Sequence, residues 1–248
     1  MKALVTGASS GIGRDMARYL SSLGYDLVIV ARRENLLEEL KKDLKTNVEI
    51  EVLDVSKEEN CKELFEKHKD IDLLINNAGF GLFGEFTEID LDKEISLIDT
   101  NIKATHILTK LYAKSMKEKN KGKILNVASI AGFMTGPLMS AYYASKNYVV
   151  ELSSGINEEL KKAKSNVRIS ILCPGPVDTN FNNVAGVRFS VKSLSSEYVA
   201  KYAIDKTLKG KEIIIPGIGI KILYGLNKLS PRFISTELAY HTQKSKKK

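Results

Sequence analysis

The strongest constraint on the fold is an alternation of short apolar segments and segments with helical periodicity along the whole chain. Most of the short segments are near-continuously apolar, as strands buried on both faces are. Strands that alternate with helices form a parallel sheet with helices on both faces, and ligands bind at the carboxyl ends of its strands. The sequence therefore predicts one α/β domain over residues 1–248. The predicted strands begin near residues 3, 25, 48, 71, 123, 167 and 212.

The first predicted strand ends in a glycine-rich turn, Thr6–Gly13, and a helical pattern follows from Arg14 to Leu23. Unpaired backbone N–H groups at the start of a helix bind anions, and glycine lets the main chain approach a pyrophosphate closely. The spacing is G-x-x-x-G-x-G and differs from the G-x-G-x-x-G dinucleotide fingerprint. We expect a phosphate-binding turn that consists of Gly7, Ser9, Ser10, Gly11, Ile12 and Gly13.

The same turn also matches the G-x-S-x-G nucleophile elbow of serine hydrolases, which would make Ser9 a nucleophile. That class of enzyme needs an acid and then a histidine later in the chain. Here the match falls on the first strand, and His68, His106 and His241 stand in no supporting context. The hydrolase therefore stays an alternative hypothesis. The histidines also lack metal-ligand spacing, so we expect no metal site.

Two arginines, Arg32 and Arg33, follow the second predicted strand. An NAD-binding fold places an acidic residue there, on the ribose 2′-hydroxyl. A guanidinium group instead binds a 2′-phosphate through charge-assisted hydrogen bonds. The competing interpretation is that both arginines only begin the helix predicted over 34–44, although basic residues are unfavourable at a helix N-terminus. We therefore predict NADP(H) as the cofactor, in preference to NAD(H).

Polar or small residues follow the third and fourth predicted strands as well. Asp54 and Val55 end the third strand, and Asp54 fits either a hydrogen bond to an adenine ring or a cap on the following helix. Asn77, Ala78 and Gly79 follow the fourth strand, where small and amide residues suit a loop that contacts a cofactor. The same residue types are common in ordinary turns. These residues are candidate cofactor contacts.

Tyr142 and Lys146 lie four residues apart on a helix predicted from about 140 to 160, so they share one helix face. An ammonium group beside a phenol favours the phenolate, which lowers the pKa of the tyrosine from about 10. Such a tyrosine can exchange a proton with an alcohol or carbonyl oxygen. On its own, such a pair is far more often an ordinary surface pair of an amphipathic helix.

Three further sequence features can be combined with the motifs described above. Asn101 lies midway along a helix predicted over about 91–116, and Ser129 ends the fifth strand, thirteen residues before Tyr142. The sixth strand stops at Pro174-Gly175-x-Val177-x-Thr179. Combined with Thr6-Gly7-x-x-x-Gly11-x-Gly13, Asn76-Asn77-Ala78-Gly79 and Tyr142-x-x-x-Lys146, these features resemble the short-chain dehydrogenase/reductase family. The resemblance covers about residues 1–215 and implies a nicotinamide cofactor and a doubly wound, Rossmann-like fold with a seven-stranded parallel sheet.

The resemblance also implies roles for individual residues. Tyr142 would act as the general acid/base, and Lys146 would lower its pKa and hold the ribose hydroxyls of the nicotinamide. Ser129 would hydrogen-bond the substrate oxygen, and Asn101 would anchor a water of the proton relay near Lys146. We interpret Tyr143 as a packing or substrate-contact residue. Further cofactor contacts implied by the motifs are Pro174, Gly175, Val177 and Thr179.

The segments after residue 179 carry weaker signals. Residues 180–194 are polar with scattered Phe and Val, which is typical of a mobile flap. Residues 216–240 are apolar with interrupting glycines and lysines, and we expect them to pack on the domain or on a second subunit. The alternatives for this segment are a hydrophobic substrate mouth or an interfacial membrane patch, helped by the basic tail 241–248. The family resemblance implies a homodimer or homotetramer.

The net charge, the cysteine content and the first residues of the chain limit the partners and the cellular location that we expect. The net charge of +8 includes four lysines at the C-terminus, and basic and aromatic residues are not interleaved, so we expect no nucleic-acid partner. The two cysteines form no disulfide framework, and the first apolar run is too short for a signal peptide, so we expect a cytoplasmic protein. No apolar segment is long enough to predict a transmembrane helix.

The leading hypothesis is an NADP(H)-dependent oxidoreductase. It would reduce a ketone or aldehyde carbonyl of an apolar substrate, or oxidise the secondary alcohol, with Tyr142 as acid/base. One alternative is a 3-oxoacyl-[acyl-carrier-protein] reductase, because a basic surface can steer an acidic carrier protein. An alternative of another class is a catalytically silent NADP-binding sensor or scaffold.

Overall fold

The computed structural model describes residues 1–181, 185–186 and 193–244. The strands within these residues are β1 Lys2–Thr6, β2 Asp26–Ala31, β3 Val48–Val52, β4 Leu73–Asn76, β5 Lys123–Val127, β6 Arg168–Leu172, β7 Val177–Asp178, β8 Leu194–Ser195 and β9 Ile213–Ile214. Seven of these described strands form one sheet in the order β3-β2-β1-β4-β5-β6-β9, and every neighbouring pair is parallel. This is the doubly wound strand order. The predicted α/β, single-domain, Rossmann-like fold is confirmed.

The helices cover both faces of the sheet. In the described residues they are α1 Gly11–Ser22, α2 Glu34–Asp43, α3 Glu58–Lys67, α4 Leu91–Ile98, α5 Thr105–Glu118, α6 Ser140–Lys162, α7 Ser196–Leu208, α8 Ile218–Leu229 and α9 Arg232–Lys244. Successive strand residues point to opposite faces, and both Leu4 and Val5 of β1 are fully buried. Val5 packs in a core with α1 and α7, whereas Leu4 packs in a second core with α3 and α5.

The helix predicted over 91–116 is helical without a break but changes its winding. A π-helical segment, Asp99–Ala104, separates α4 from α5 and contains Asn101. Single π-helical turns occur frequently at functional sites because they shift the helix register locally. The seventh strand of the sheet is also shorter than the predicted 212–215, since only Ile213 and Ile214 pair with β6.

The predicted flap is bounded by short strands. β7 and β8 form a separate two-stranded parallel sheet, so the last flap residue, Leu194, already pairs with Val177. Phe181 and Ala185 pack against Tyr142 and Tyr143. The rest of the flap prediction falls on 182–184 and 187–192, which lie outside the described residues.

The segment after β9 forms two helices that pack on the domain. On α8, the Tyr224 ring lies 4.6 Å from the Phe133 ring, and Asn227 donates a hydrogen bond to the Phe133 carbonyl at 2.7 Å. The start of the predicted basic tail, 241–244, is the last turn of α9, and 245–248 lie outside the described residues. No helix in the described ranges is both long enough and apolar enough to cross a membrane.

Candidate active site

A cavity of about 1050 Å³ lies at the carboxyl ends of the sheet strands. It gathers nearly all the residues singled out in the sequence, although they are spread over more than 170 positions. Among the predicted catalytic and cofactor-binding residues, Gly13 and Asn101 are the two that do not line it. The predicted residues that do line it are Gly7, Ser9, Ser10, Gly11, Ile12, Arg32, Arg33, Asp54, Val55, Asn77, Ala78, Gly79, Ser129, Tyr142, Lys146, Pro174, Gly175, Val177 and Thr179.

The turn before α1 leaves the helix N-terminus open toward this cavity. Ser10 is the N-cap residue, and its side chain accepts no capping hydrogen bond within the described chain. Gly7 and Gly11 have φ values of +66° and +55°, a conformation that favours glycine. A Cβ at Gly13 would lie 2.3 Å from Asn77 Nδ2 and 2.6 Å from the Gly7 carbonyl oxygen. Gly13 is therefore needed for close packing behind the turn, and the open N–H groups fit an anion such as a pyrophosphate.

Thr6 and Asn77 tie this turn to the loop after β4. Thr6 Oγ1 accepts hydrogen bonds from the backbone N–H groups of Asn77 and Ala78, at 3.0 and 3.1 Å. In return, Asn77 Nδ2 donates to the carbonyl oxygens of Thr6 and Gly7, at 3.0 and 3.1 Å. The two loops are thus held as one rigid wall of the cavity.

The two arginines after β2 have different partners. Arg33 Nη2 donates to the hydroxyls of Ser9 and Ser10, at 2.9 and 3.1 Å, which places its guanidinium over the start of α1. Arg32 is exposed and lies 3.8 Å from Asp54. Asp54 Oδ1 accepts from the Ser56 N–H at 3.0 Å, and α3 begins only at residue 58. The interpretation of Asp54 as the cap of the following helix is therefore wrong.

Ser129, Tyr142 and Lys146 all line the cavity. Ser129 Oγ accepts from the Ala131 N–H at 3.1 Å, which fixes its orientation at the end of β5. Ser129 Oγ also donates to the Pro174 carbonyl at 3.5 Å, and Ser129 is close enough to Tyr142 to lower the pKa of its phenol. Lys146, one turn further along α6, is only 6% exposed, and its Nζ donates to the Val127 carbonyl at 2.9 Å. This Nζ lies 5.9 Å from the centroid of the Tyr142 ring.

The pKa of Tyr142 shifts in the direction opposite to the sequence expectation. Burial raises the pKa of Tyr142, the Ser129 side chain lowers it by a smaller amount, and the neighbouring Tyr143 raises it slightly. The expected lowering of the Tyr142 pKa by Lys146 is not found: the ammonium donates to the Val127 carbonyl, and burial lowers the pKa of Lys146 itself to about 8. At neutral pH, Tyr142 is therefore a protonated phenol beside a mostly charged Lys146.

Asn101 does not line the cavity but contacts residues that do. It is 1% exposed, and its side-chain amide brackets the Phe80 backbone: Nδ2 donates to the carbonyl at 2.9 Å, and Oδ1 accepts from the N–H at 3.0 Å. Nδ2 also donates to Ser145 Oγ at 3.0 Å, next to Lys146. A Cβ at Gly79 would lie 2.9 Å from Asn101 Oδ1 and 3.4 Å from Lys146 Nζ, so all three residues meet closely. Asn101 thus fixes the positions of α6 and of the loop after β4.

Comparison with known proteins agrees with this geometry. Residues 1–186 match the family model of the short chain dehydrogenases. The chain belongs to the short-chain dehydrogenase/reductase family. An uncharacterized oxidoreductase of Staphylococcus saprophyticus is 40% identical over 185 residues, covering 71% of this chain and 78% of the relative.

Solved structures of short-chain dehydrogenases share the fold. One from Sphingobium yanoikuyae, in complex with NADPH, superposes with a TM-score of 0.81 at 27% identity, covering 92% of this chain and 93% of the other. One from Burkholderia phymatum, in complex with NAD, gives the same TM-score at 26% identity, covering 91% and 92%. The family fold therefore accommodates both cofactors.

Helices α8 and α9 supply one wall of the cavity in this short-chain dehydrogenase, which agrees with the alternative of a hydrophobic substrate mouth for residues 216–240. The matched family region ends at residue 186, and no motif marks the chain beyond it. The favoured interpretation, a segment that only packs on the domain or a subunit, is therefore too narrow. The described residues of α8 and α9 that line the cavity include Ile220, Leu223, Leu226, Leu238, Ala239, Thr242 and Gln243.

Proposed function

We propose that this short-chain dehydrogenase is an NADP(H)-dependent oxidoreductase that reduces a ketone or aldehyde carbonyl, or oxidises the corresponding secondary alcohol. The observation that carries the proposal is that Ser129, Tyr142 and the buried Lys146 line one cavity, which also contains an open helix N-terminus. The apolar side chains around Tyr142 support an apolar substrate.

The cavity residues suit a reduction in which the protein manages the proton. The nicotinamide cofactor, when bound, supplies the hydride. Tyr142 donates its proton to the carbonyl oxygen, and its raised pKa keeps that proton in place at neutral pH. Ser129 hydrogen-bonds the same oxygen as negative charge develops on it. The Lys146 cation stabilises the resulting Tyr142 phenolate and would hold the ribose hydroxyls of a bound cofactor, and Asn101 acts as a positioning residue.

The cofactor part of the proposal rests on Arg33. Its guanidinium lies against Ser9 and Ser10, and all three side chains line the cavity. A 2′-phosphate at this point would gain charge-assisted hydrogen bonds from the guanidinium and from the two hydroxyls. Asp54, the carboxylate near this end of the cavity, pairs with Arg32 and is thereby partly neutralised. This arrangement supports NADP(H) over NAD(H).

The direct test is oxidation of NADPH, with NADH in parallel, across a panel of ketones, aldehydes and 3-oxoacyl thioesters. We expect turnover with NADPH on apolar ketones or aldehydes. Turnover confined to 3-oxoacyl thioesters would support the acyl-carrier-protein reductase instead. Tight NADPH binding without any turnover would support the sensor or scaffold.

Replacing Arg33 with alanine tests the cofactor preference separately. We expect Arg33→Ala to weaken NADPH binding by about 10- to 100-fold, the range of a lost charge-assisted hydrogen bond, and to leave NADH binding nearly unchanged. The dissociation constants are measured by fluorescence titration. Arg18→Ala is the control, because Arg18 pairs with Asp43 and does not line the cavity. Equal loss for both cofactors, or none, would contradict the 2′-phosphate assignment.

The assembly and location stay predictions. An exposed apolar stripe on α4, formed by Leu91, Ile95 and Ile98, supports a homodimer or homotetramer, because such a face is usually covered by a partner. The cytoplasmic location rests on the sequence alone.

A further inference from the structure

The side chain of Gln243, near the end of α9, is buried with its amide oxygen unpaired among the described residues. It is 2% exposed and lines the cavity. Its Nε2 donates to the Tyr143 hydroxyl at 2.5 Å, whereas its Oε1 has no hydrogen-bond partner among the described residues. A buried amide oxygen without a donor is destabilising, so native structures rarely keep one without a functional reason. Oε1 itself has almost no accessible surface, so a molecule bound in the cavity that Gln243 lines supplies the missing donor once the side-chain amide rotates toward it.

The side chain of Tyr143, which accepts the hydrogen bond from Gln243, is held in a fixed position. A Cβ at Gly136 would lie 2.2 Å from the Tyr143 ring, so the ring rests directly on the backbone there. The ring lies 6.0 Å from the ring of Tyr142, the proposed proton donor. Burial raises the pKa of Tyr143, which outweighs the opposing effect of the Gln243 hydrogen bond. Tyr143 therefore keeps its proton at neutral pH and can donate it to a ligand.

The surroundings of this polar pair are apolar. Met139, Phe83, Phe181 and Ala185 cluster with the two tyrosines, and Leu238 and Ala239 line the cavity from α9. A few polar groups on an apolar wall fix the orientation of a ligand and select its substituents. Asp54 is the one carboxylate among the described lining residues, and it lies at the Arg32 end of the cavity.

We propose that Gln243 and Tyr143 form a subsite for a hydroxyl group of the substrate, at a point away from the reacting carbonyl. A hydroxyl both accepts and donates, so it satisfies the Tyr143 proton and Gln243 Oε1 together. An alkyl group would leave both unsatisfied, a carboxylate would face the Gln243 oxygen, and an ammonium group would find no carboxylate partner among the described residues here. The substrate class is therefore a hydroxyketone or hydroxyaldehyde with an apolar skeleton. This inference rests on the proposed carbonyl reduction.

The test compares matched linear ketones that carry a hydroxyl at increasing distance from the carbonyl, each paired with the analogue that has a methyl group in its place. We expect wild-type protein to prefer one hydroxyketone by at least about 10-fold in kcat/KM, because a site built for a hydroxyl rejects the analogue that lacks it. Gln243→Met, which is similar in size, and Tyr143→Phe should each bring the ratio close to one. His241→Gln is the control on the same helix, because His241 is exposed.

The ratio of kcat/KM for the two ketones of a pair separates loss of hydroxyl recognition from general damage. Misfolding or lost cofactor binding would lower kcat/KM for both ketones alike. Equal use of the paired ketones by wild-type protein, or an unchanged ratio in Gln243→Met, would overturn the subsite while leaving the carbonyl reductase standing. Calorimetric titration of the same ketone pairs into wild-type and Gln243→Met protein, with NADP⁺ bound, gives a readout that needs no turnover. A preference for the hydroxyketone that disappears in the variant supports the subsite, and equal affinities contradict it.

Discussion

Replacing Tyr142 with phenylalanine is expected to lower kcat/KM for carbonyl reduction by about 10²- to 10⁴-fold, the usual contribution of a positioned proton donor. The change removes one hydroxyl and keeps the ring, which packs 5.4 Å from the Phe181 ring. We therefore expect the fold and the affinity for NADPH to be retained. Steady-state kinetics on the best ketone of the panel, with NADPH binding measured by fluorescence, checks both parts.

Tyr143→Phe is the matched control, because it removes the same group one position along α6. On a ketone without a hydroxyl substituent, its kcat/KM should stay close to the wild-type value. The two tyrosines differ in their surroundings: Ser129 lowers the pKa of Tyr142, whereas Tyr143 accepts a hydrogen bond from Gln243. A reversal, with Tyr143→Phe inactive and Tyr142→Phe active, would show that the proton donor is misassigned.

Replacing Lys146 with methionine is expected to change activity and stability in opposite directions. Without the cation, the Tyr142 phenolate formed in the reaction loses its stabilisation, and we expect a loss of at least about 100-fold in kcat/KM. The cofactor-free protein should become more stable at pH 7. Burial lowers the pKa of Lys146 from 10.5 to about 8, a shift equivalent to about 3 kcal/mol of destabilisation by the buried charge. The variant leaves the Val127 carbonyl without this donor, so the net gain should be about 1 to 2 kcal/mol.

The pH dependence of that gain has a definite sign. Between pH 8 and 10.5 the unfolded wild-type chain binds more protons at Lys146 than the folded chain does, so wild-type stability rises with pH across this window. The advantage of Lys146→Met should therefore be constant below pH 8 and shrink from pH 8 to 10.5. Urea denaturation of both proteins at several pH values measures it. A variant that is less stable at pH 7, or an advantage that grows with pH, would contradict the account.

Much of the fold could be predicted because its causes are local. Near-continuous apolar runs mark strands buried on both faces, and the alternation with helices fixes a parallel sheet. The π-helical segment at Asn101 could not be predicted in this way, since helical periodicity alone does not reveal a change in winding. The short β7–β8 sheet was missed for a similar reason: each strand has only two residues, too few for a recognisable pattern.

Some features of the site could be predicted from the sequence, and others depend on tertiary structure. The motif residues converge on one cavity because they follow strands whose carboxyl ends meet at the same edge of the sheet. Gly13 and Asn101 belong to the same set of motifs but do not line the cavity. Gly13 allows close packing of the neighbouring loops, and Asn101 makes hydrogen bonds to Phe80 and Ser145. The direction of the Tyr142 pKa shift depends on burial, and burial is a tertiary property. The α9 wall with Gln243 depends on how two C-terminal helices fold back, which no local pattern encodes.

The most direct test of the central claim is transfer of deuterium from NADPH that is doubly deuterated at C4 of the nicotinamide. The protein is incubated with this cofactor and each carbonyl compound of the panel, and the alcohol product is examined by mass spectrometry. We predict one deuterium on the carbinol carbon of at least one product, and at least about 100-fold slower formation of that product with Tyr142→Phe. Tight binding of NADPH with no deuterated alcohol from any compound would contradict the proposed oxidoreductase.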